Sequence, residues 1–179
     1  ISNPVPLTVT INTIPSSPTV TTASSCGPAS LTVNAVAADP VSWYSAASGG
    51  TLLSATGTYT ANFSTTTTVY AISTDGTCNS AAIPSTITIH TLPSINIGPA
   101  TISINSGQTV TLDAGNGFAS YLWSTSATTQ TITTGIAGFY YVTVTDGNGC
   151  QGADSITISV LIGVEDIDHD NTLLIYPSP

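Results

Sequence analysis

Apolar and polar residues alternate with a period of two along almost the whole chain, and no stretch carries a 3.6-residue period. Leu7, Val9 and Ile11 alternate with threonines, and Val41 and Trp43, Val110 and Leu112, Val142 and Val144, and Ile156, Ile158 and Val160 alternate with threonine or serine. Each run is a few residues long and ends in Gly, Pro, Asn or Asp, the residues that turns between short strands require. The pattern predicts an all-β fold of tandem Ig-like antiparallel β-sandwiches.

The runs repeat in order. "YAISTDGTC" (70–78) and "YVTVTDGNGC" (141–150) each hold Tyr, Asp five residues later, Gly and a nearby Cys. Upstream, "CGPASLTV" (26–33) aligns with "NSGQTVTL" (105–112), and "VSWYS" (41–45) with "YLWST" (121–125). Downstream, "STITIHT" (85–91) aligns with "DSITISV" (154–160). Two copies of one unit are therefore expected, over residues 15–92 and 93–161. Trp43 precedes Asp75 by 32 residues, whereas Trp123 precedes Asp146 by 23. The first copy thus carries an additional hairpin within "SGGTLLSATGTYTANF" that the second lacks or shortens. Residues 1–14 resemble the last strand of each copy, which predicts the tail of a preceding repeat or a first strand in its own right. Residues 162–179 follow as an acidic linker and the start of something further.

Composition narrows the function. The 179 residues include no Lys or Arg and nine Asp or Glu, a formal charge of −9. Nothing can neutralise phosphates, so nucleic-acid binding through a basic patch is excluded, as is attraction to an anionic membrane surface. No apolar run approaches the ~20 residues of a spanning helix, so no membrane insertion is expected. Salt bridges cannot hold the fold together. The chain begins without Met or a signal-peptide pattern, which reads as a processed or excised segment.

Candidate chemistry is sparse. His90 and His169 are the only imidazoles. The parity of His90 in its strand places it on the solvent face, and His169 has no nucleophile signature beside it. No catalytic motif is present, so the expectation is that the chain is not an enzyme. Asp166, Asp168 and Asp170 occupy the first three ligand positions of an EF-hand loop, but Asn171 stands where its Gly belongs and Pro177 where its Glu belongs. A solvated acidic linker is the simpler reading, with Ca²⁺ the weaker alternative and no cofactor otherwise expected. "DAGNG" (113–117) and "TDGNG" (145–149) read as tight turns needing positive φ. Trp43 and Trp123 read as sandwich-core tryptophans, the alternative being platforms that stack on sugar rings.

Three cysteines suggest one disulfide and one remaining thiol in an oxidising compartment. Cys26 opens the second long strand of the first copy and Cys78 follows its penultimate strand. These positions can meet in a sandwich, and closing the loop of about 50 residues would stabilise by several kcal/mol. The expected bridge is therefore Cys26–Cys78. Asn105 stands where the partner of Cys150 would align, so Cys150 is expected to be a free thiol or one paired between chains.

The first copy, "CGPASLTVNA" with "VSWYSAASGGTLLSATGTYTANFSTTTTVYAISTDGTC", resembles the Ig-like repeat of large secreted and surface proteins of Bacteroidota, over roughly residues 18–91. The second, "SGQTVTLDAGNGFASYLWSTSATTQTITTGIAGFYYVTVTDGNGC", is similar to the PKD-like repeat of the same proteins. Members often carry a cysteine just before the G-x-x-V-T-L run, where this chain has Asn105. "GVEDIDHDNTLLIYPSP" is similar to the opening of the type IX secretion sorting domain, with Ile175, Tyr176, Pro177 and Pro179 matching its first-strand motif. "DSI" (154–156) resembles the Asp-Ser/Thr-apolar O-glycosylation signal of that phylum, with Ser155 as acceptor. The resemblances imply a non-catalytic structural or adhesion stalk, extracellular or on the outer cell surface. Its partners would be the type IX machinery, neighbouring repeats or copies of itself, and surface glycans. The alternatives are a filament subunit joined by strand exchange and an accessory carbohydrate-binding module of a secreted enzyme.

Overall fold

A computed structural model describes residues 9–161. The described residues form fourteen strands and no helix. They divide into two compact units, with the division between Thr91 and Leu92.

The first unit holds β1 (Thr19–Val20), β2 (Ala23–Cys26), β3 (Ala29–Val36), β4 (Val41–Tyr44), β5 (Leu52–Ser54), β6 (Thr58–Phe63), β7 (Thr67–Ser73) and β8 (Ile83–His90). One sheet runs β2-β8-β7-β4-β5 and faces a second, β1-β3-β6. Its core is Val33, Ala35, Val41, Trp43, Phe63, Val69, Ala71 and Ile87, drawn from both sheets as period-2 patterning requires. The second unit holds β9 (Thr101–Asn105), β10 (Val110–Asp113), β11 (Ser120–Trp123), β12 (Thr131–Thr134), β13 (Gly138–Thr145) and β14 (Gln151–Leu161). Its sheets are β11-β13-β14-β9 and β10-β12, closed over Leu112, Trp123, Tyr140, Val142, Val144, Ile156 and Ile158. β5 has no counterpart in the second unit, so the additional hairpin of the first unit becomes an edge strand leading into β6.

In both units the first strand of the larger sheet lies parallel to the last. β2 pairs with β8 from Ala23↔Ile87 to Cys26↔His90. β9 pairs with β14 from Thr101↔Thr157 to Asn105↔Leu161. The other pairings are antiparallel. β1 lies on the opposite sheet to β2, so residues 19–26 cross from one layer to the other. Two buried serines hold the chain here, one just before β1 and one between β1 and β2. Ser73 Oγ donates to the Ser16 carbonyl at 2.6 Å and Ser85 Oγ to the Thr21 carbonyl at 2.6 Å. Each serine is wholly buried yet fully used, and no buried side-chain polar atom among the described residues lacks a partner.

Without lysine or arginine, the exposed faces are joined by hydroxyls. Thr32 Oγ1 and Thr60 Oγ1 lie 2.7 Å apart across β3 and β6. The equivalent Thr111 and Thr133 lie 2.9 Å apart across β10 and β12. Cross-strand threonine pairs of this kind contribute about 0.2–1 kcal/mol each, without the salt sensitivity of an ion pair. The expected N-terminal strand is not formed by its described part. Residues 9–14 lie outside any strand, with Val9, Ile11 and Ile14 exposed. Alternation creates an apolar face, but it cannot supply a neighbouring edge to pair with.

Candidate functional site

Trp43 and Trp123 are 0% and 2% exposed, so neither can stack on a sugar from solvent. Each occupies the centre of its core and satisfies its indole N–H locally. Trp43 Nε1 donates to the Gly57 carbonyl at 3.1 Å and Trp123 Nε1 to the Thr129 carbonyl at 2.8 Å. Burying a Trp requires such a partner, because an unsatisfied N–H costs about 1–3 kcal/mol. Both acceptors lie just before the next strand of the facing sheet, so the ring pins one sheet to the other.

The Asp-Gly turns are built by carboxylates rather than by a cation. Asp75 Oδ1 accepts from the Cys78 amide at 2.7 Å, the Thr77 amide at 2.8 Å and the Thr77 hydroxyl at 2.8 Å. These bonds favour the ionised form and lower the Asp75 pKa below 3.8, Cys78 contributing most. Asp146 repeats the arrangement in the second unit, accepting from the Asn148 and Cys150 amides at 2.8 Å each. Asp113 is also held below 3.8, first by the Gln130 side chain and then by the Gly115 amide. Gly76, Gly115, Gly117 and Gly149 adopt positive φ in these loops, as turn chemistry demands. Among the described residues, no group of three His, Cys, Asp or Glu side chains could hold a metal ion.

The cysteine assignments require correction. Cys78 is the free thiol, half-buried, whereas Cys26 and Cys150 are both disulfide-bonded. The expected Cys26–Cys78 bridge fails because Cys26 does not open β3. The Gly27–Pro28 turn, with Gly27 at φ 74°, separates them, and Cys26 instead ends β2. Parallel pairing sets Cys26 beside His90, at the end of β8. Cys78 lies in the turn that precedes the start of β8, where Thr74 bridges Asn79. The seven steps from Ile83 to His90 span roughly 23 Å at ~3.3 Å per residue, far beyond the ~5.5 Å Cα separation of a disulfide. The same geometry disposes of the argument from Asn105. Asn105 pairs with Leu161 at the far end of β14, whereas Cys150 directly precedes that strand. The alignment of the two copies holds, but the positions it equates do not bridge within a unit. Labelling of the unfolded, unreduced protein with a thiol reagent should therefore modify Cys78 alone, and modification of Cys26 and Cys150 should require prior reduction. Peptide mapping reads the outcome directly.

His90 is half-buried at the end of β8, its carbonyl accepting from the Gly27 amide at 2.8 Å. Ser155 is exposed on β14 opposite Tyr141. Its neighbour Asp154 is occupied, Oδ2 accepting from the Ile97 amide at 2.9 Å and Oδ1 from the Ser155 amide at 2.8 Å. Asp166, Asp168, Asp170 and His169 lie outside the described residues, as do Ile175, Tyr176, Pro177 and Pro179. No helix among the described residues is long and apolar enough to cross a membrane.

One surface feature was not singled out by sequence reasoning. β13 turns Tyr140, Val142 and Val144 inward, so Phe139 and Tyr141 face solvent, 63% and 47% exposed. Their ring centroids lie 6.2 Å apart with planes tilted by 41°. Leu122 of β11 extends this face at 54% exposure. The parity of "GFYYVTVT" was the available signal, but three consecutive aromatics leave open which of them face the core.

Among solved structures the chain is similar to the two Ig domains of DIP-gamma, with 13% identity and a TM-score of 0.41 over 81% of this chain and 98% of that one. It is similar to the four N-terminal Ig domains of Dscam1 isoform 6.9, with 12% identity and a TM-score of 0.36 over 78% of this chain and 43% of that one. It is also similar to three N-terminal domains of the bacteriophage RB49 highly immunogenic outer capsid protein, with 18% identity and a TM-score of 0.38 over 80% of this chain and 58% of that one. The chain spans less than half of the Dscam1 structure it matches. No curated protein matches it. Residues 15–90, most of the first unit, match the family model described as Ig-like domain, CHU_C associated.

Proposed function

We propose that this chain is a non-catalytic structural and adhesion stalk of an extracellular protein exported by the type IX system of a Bacteroidota cell. The observation that carries the reading is the parallel pairing of β2 with β8 and of β9 with β14. In each unit the first strand of the larger sheet lies beside the unit's last strand and points the same way. In the reduced chain, tension applied from end to end loads their hydrogen bonds together in shear, rather than opening them one at a time. The geometry suits a module whose task is to bear load. The disulfide-bonded cysteines favour an oxidising compartment, and the absence of Lys and Arg removes trypsin-type cleavage sites. Residues 175–179 bind the export machinery in this reading, with the acidic run 165–170 as a solvated hinge rather than a Ca²⁺ site.

Two measurements test it. Single-molecule extension of the reduced protein from the chain ends should give two discrete high-force steps, and gradual extension at low force would contradict a load-bearing role. Surface labelling of cells producing the full-length protein should disappear when the type IX system is deleted, and persistent labelling would overturn the export route.

A second reading has one observation in its favour. Val9, Ile11 and Ile14 are exposed on an unpaired segment, which could add a strand to a neighbouring copy and build a filament. Val9→Asp with Ile11→Asp should then abolish concentration-dependent assembly, and a strictly monomeric parent chain would rule this reading out.

A further inference from the structure

We propose that the outer face of the β11-β13-β14-β9 sheet is a binding platform for a neutral polysaccharide, centred on Phe139 and Tyr141. The two rings share one face, two residues apart on a single strand, so a rigid backbone sets their separation at 6.2 Å. That spacing is comparable to the distance between adjacent sugar rings of a linear polymer, whose apolar C–H faces stack on aromatic rings. Large apolar side chains exposed side by side mark an interaction surface, and here both residues are exposed.

What surrounds the rings selects the occupant. Tyr141 lies opposite Ser155, and Phe139 opposite Thr157. On the other side, the Ser124 amide donates to the Tyr141 carbonyl at 2.9 Å and the Ser124 hydroxyl accepts from the Tyr141 amide at 3.4 Å, which leaves that hydroxyl its own proton to donate. These hydroxyls both donate and accept, as the hydroxyls of a sugar do. The chain contains no Lys or Arg, so a sulfated or carboxylated polymer would meet no countercharge, and the net charge of −9 would repel it. The same charge opposes a second copy of this chain as occupant. A neutral, hydroxyl-rich ligand with apolar ring faces matches the rings and their polar border at once. The buried tryptophans take no part. This inference stands on the sheet face alone and does not depend on how the protein reaches the cell surface.

The test is retention of the full chain, made in a host without O-glycosylation so that Ser155 is bare, on insoluble cellulose, chitin and β-1,3-glucan. The anionic polymer alginate serves as the counter-probe. Retention is expected on at least one neutral polymer and not on alginate. It should fall at least tenfold in Phe139→Thr and Tyr141→Thr, which keep strand propensity but lose the ring, and persist in Phe139→Tyr and Tyr141→Phe. Amide exchange of β13 and β14 verifies that each variant is folded. No retention on any neutral polymer, or undiminished retention in the folded threonine variants, would overturn the proposal. So would concentration-dependent dimerisation lost in those same variants, which would assign the face to a second copy. Any of these results leaves the load-bearing reading untouched, since the extension experiment reports on backbone pairing and not on the exposed rings.

Discussion

Trp43→Ala is expected to destabilise the first unit by about 3–5 kcal/mol. Trp43 is the largest wholly buried side chain of that unit, and its removal leaves a cavity between two sheets that share few other large residues. A domain of this size has a total stability of roughly 4–11 kcal/mol at 0.05–0.15 kcal/mol per residue, so the loss takes a large share of it. The substitution also strips one donor from the Gly57 carbonyl. Trp43→Phe separates the two effects. It restores most of the ring volume without the N–H, and should recover more than half of the loss. Hydrogen exchange followed by mass spectrometry checks the outcome. Protection should collapse across β3, β4, β6 and β7, while β10 to β14, which form their own core around Trp123, retain theirs. Uniform loss across both sets of strands would refute independent cores.

Gly57→Ala is expected to cost about as much, roughly 3 kcal/mol, although it adds a single methyl group. A Cβ at residue 57 would lie 2.5 Å from the Ala35 carbonyl oxygen, a backbone atom that cannot swing aside. The Gly57 carbonyl accepts from both the Ala35 amide at 2.7 Å and the Trp43 indole at 3.1 Å. Relieving the clash therefore pulls two buried donors off one acceptor. Thermal unfolding should show the effect, and a Gly57→Ala protein as stable as the parent would disprove this close approach. Because both substitutions act through the same carbonyl, the double variant should lose less than the sum of the two singles, the deficit measuring their shared bond.

Much of this architecture was legible in the chain. Alternation at Val41 and Trp43, or at Val142 and Val144, is a local property that translates directly into a strand with one buried face. The Asp75 and Asp146 turns were legible because a short carboxylate bonds amides two to four residues ahead of it, wherever the turn sits in the fold. The tryptophans could be placed in the core for a similar reason, since each falls in phase with an inward-facing valine or tyrosine. The segment 9–14 shows the limit of that logic. Its alternation is as regular as any other, yet a strand needs a partner edge, and none is encoded within the segment.

What the sequence by itself determined is the set of strands, their turns, the doubling of the unit and the absence of any cation to act through. These follow from side chains interacting with their near neighbours in the chain. Only the tertiary structure decided the cysteines, the role of Gly57 and the identity of the exposed rings. Nothing in the local sequence of Cys26 and Cys78 excludes a bridge, but the parallel pairing of β2 with β8 sets them beside opposite ends of β8. Gly57 looks like any turn glycine until Ala35 is packed against it. Phe139, Tyr140 and Tyr141 have nearly the same hydrophobicity. Which of them meets solvent is settled by which face of β13 the other sheet covers, a fact that belongs to residues far away in sequence.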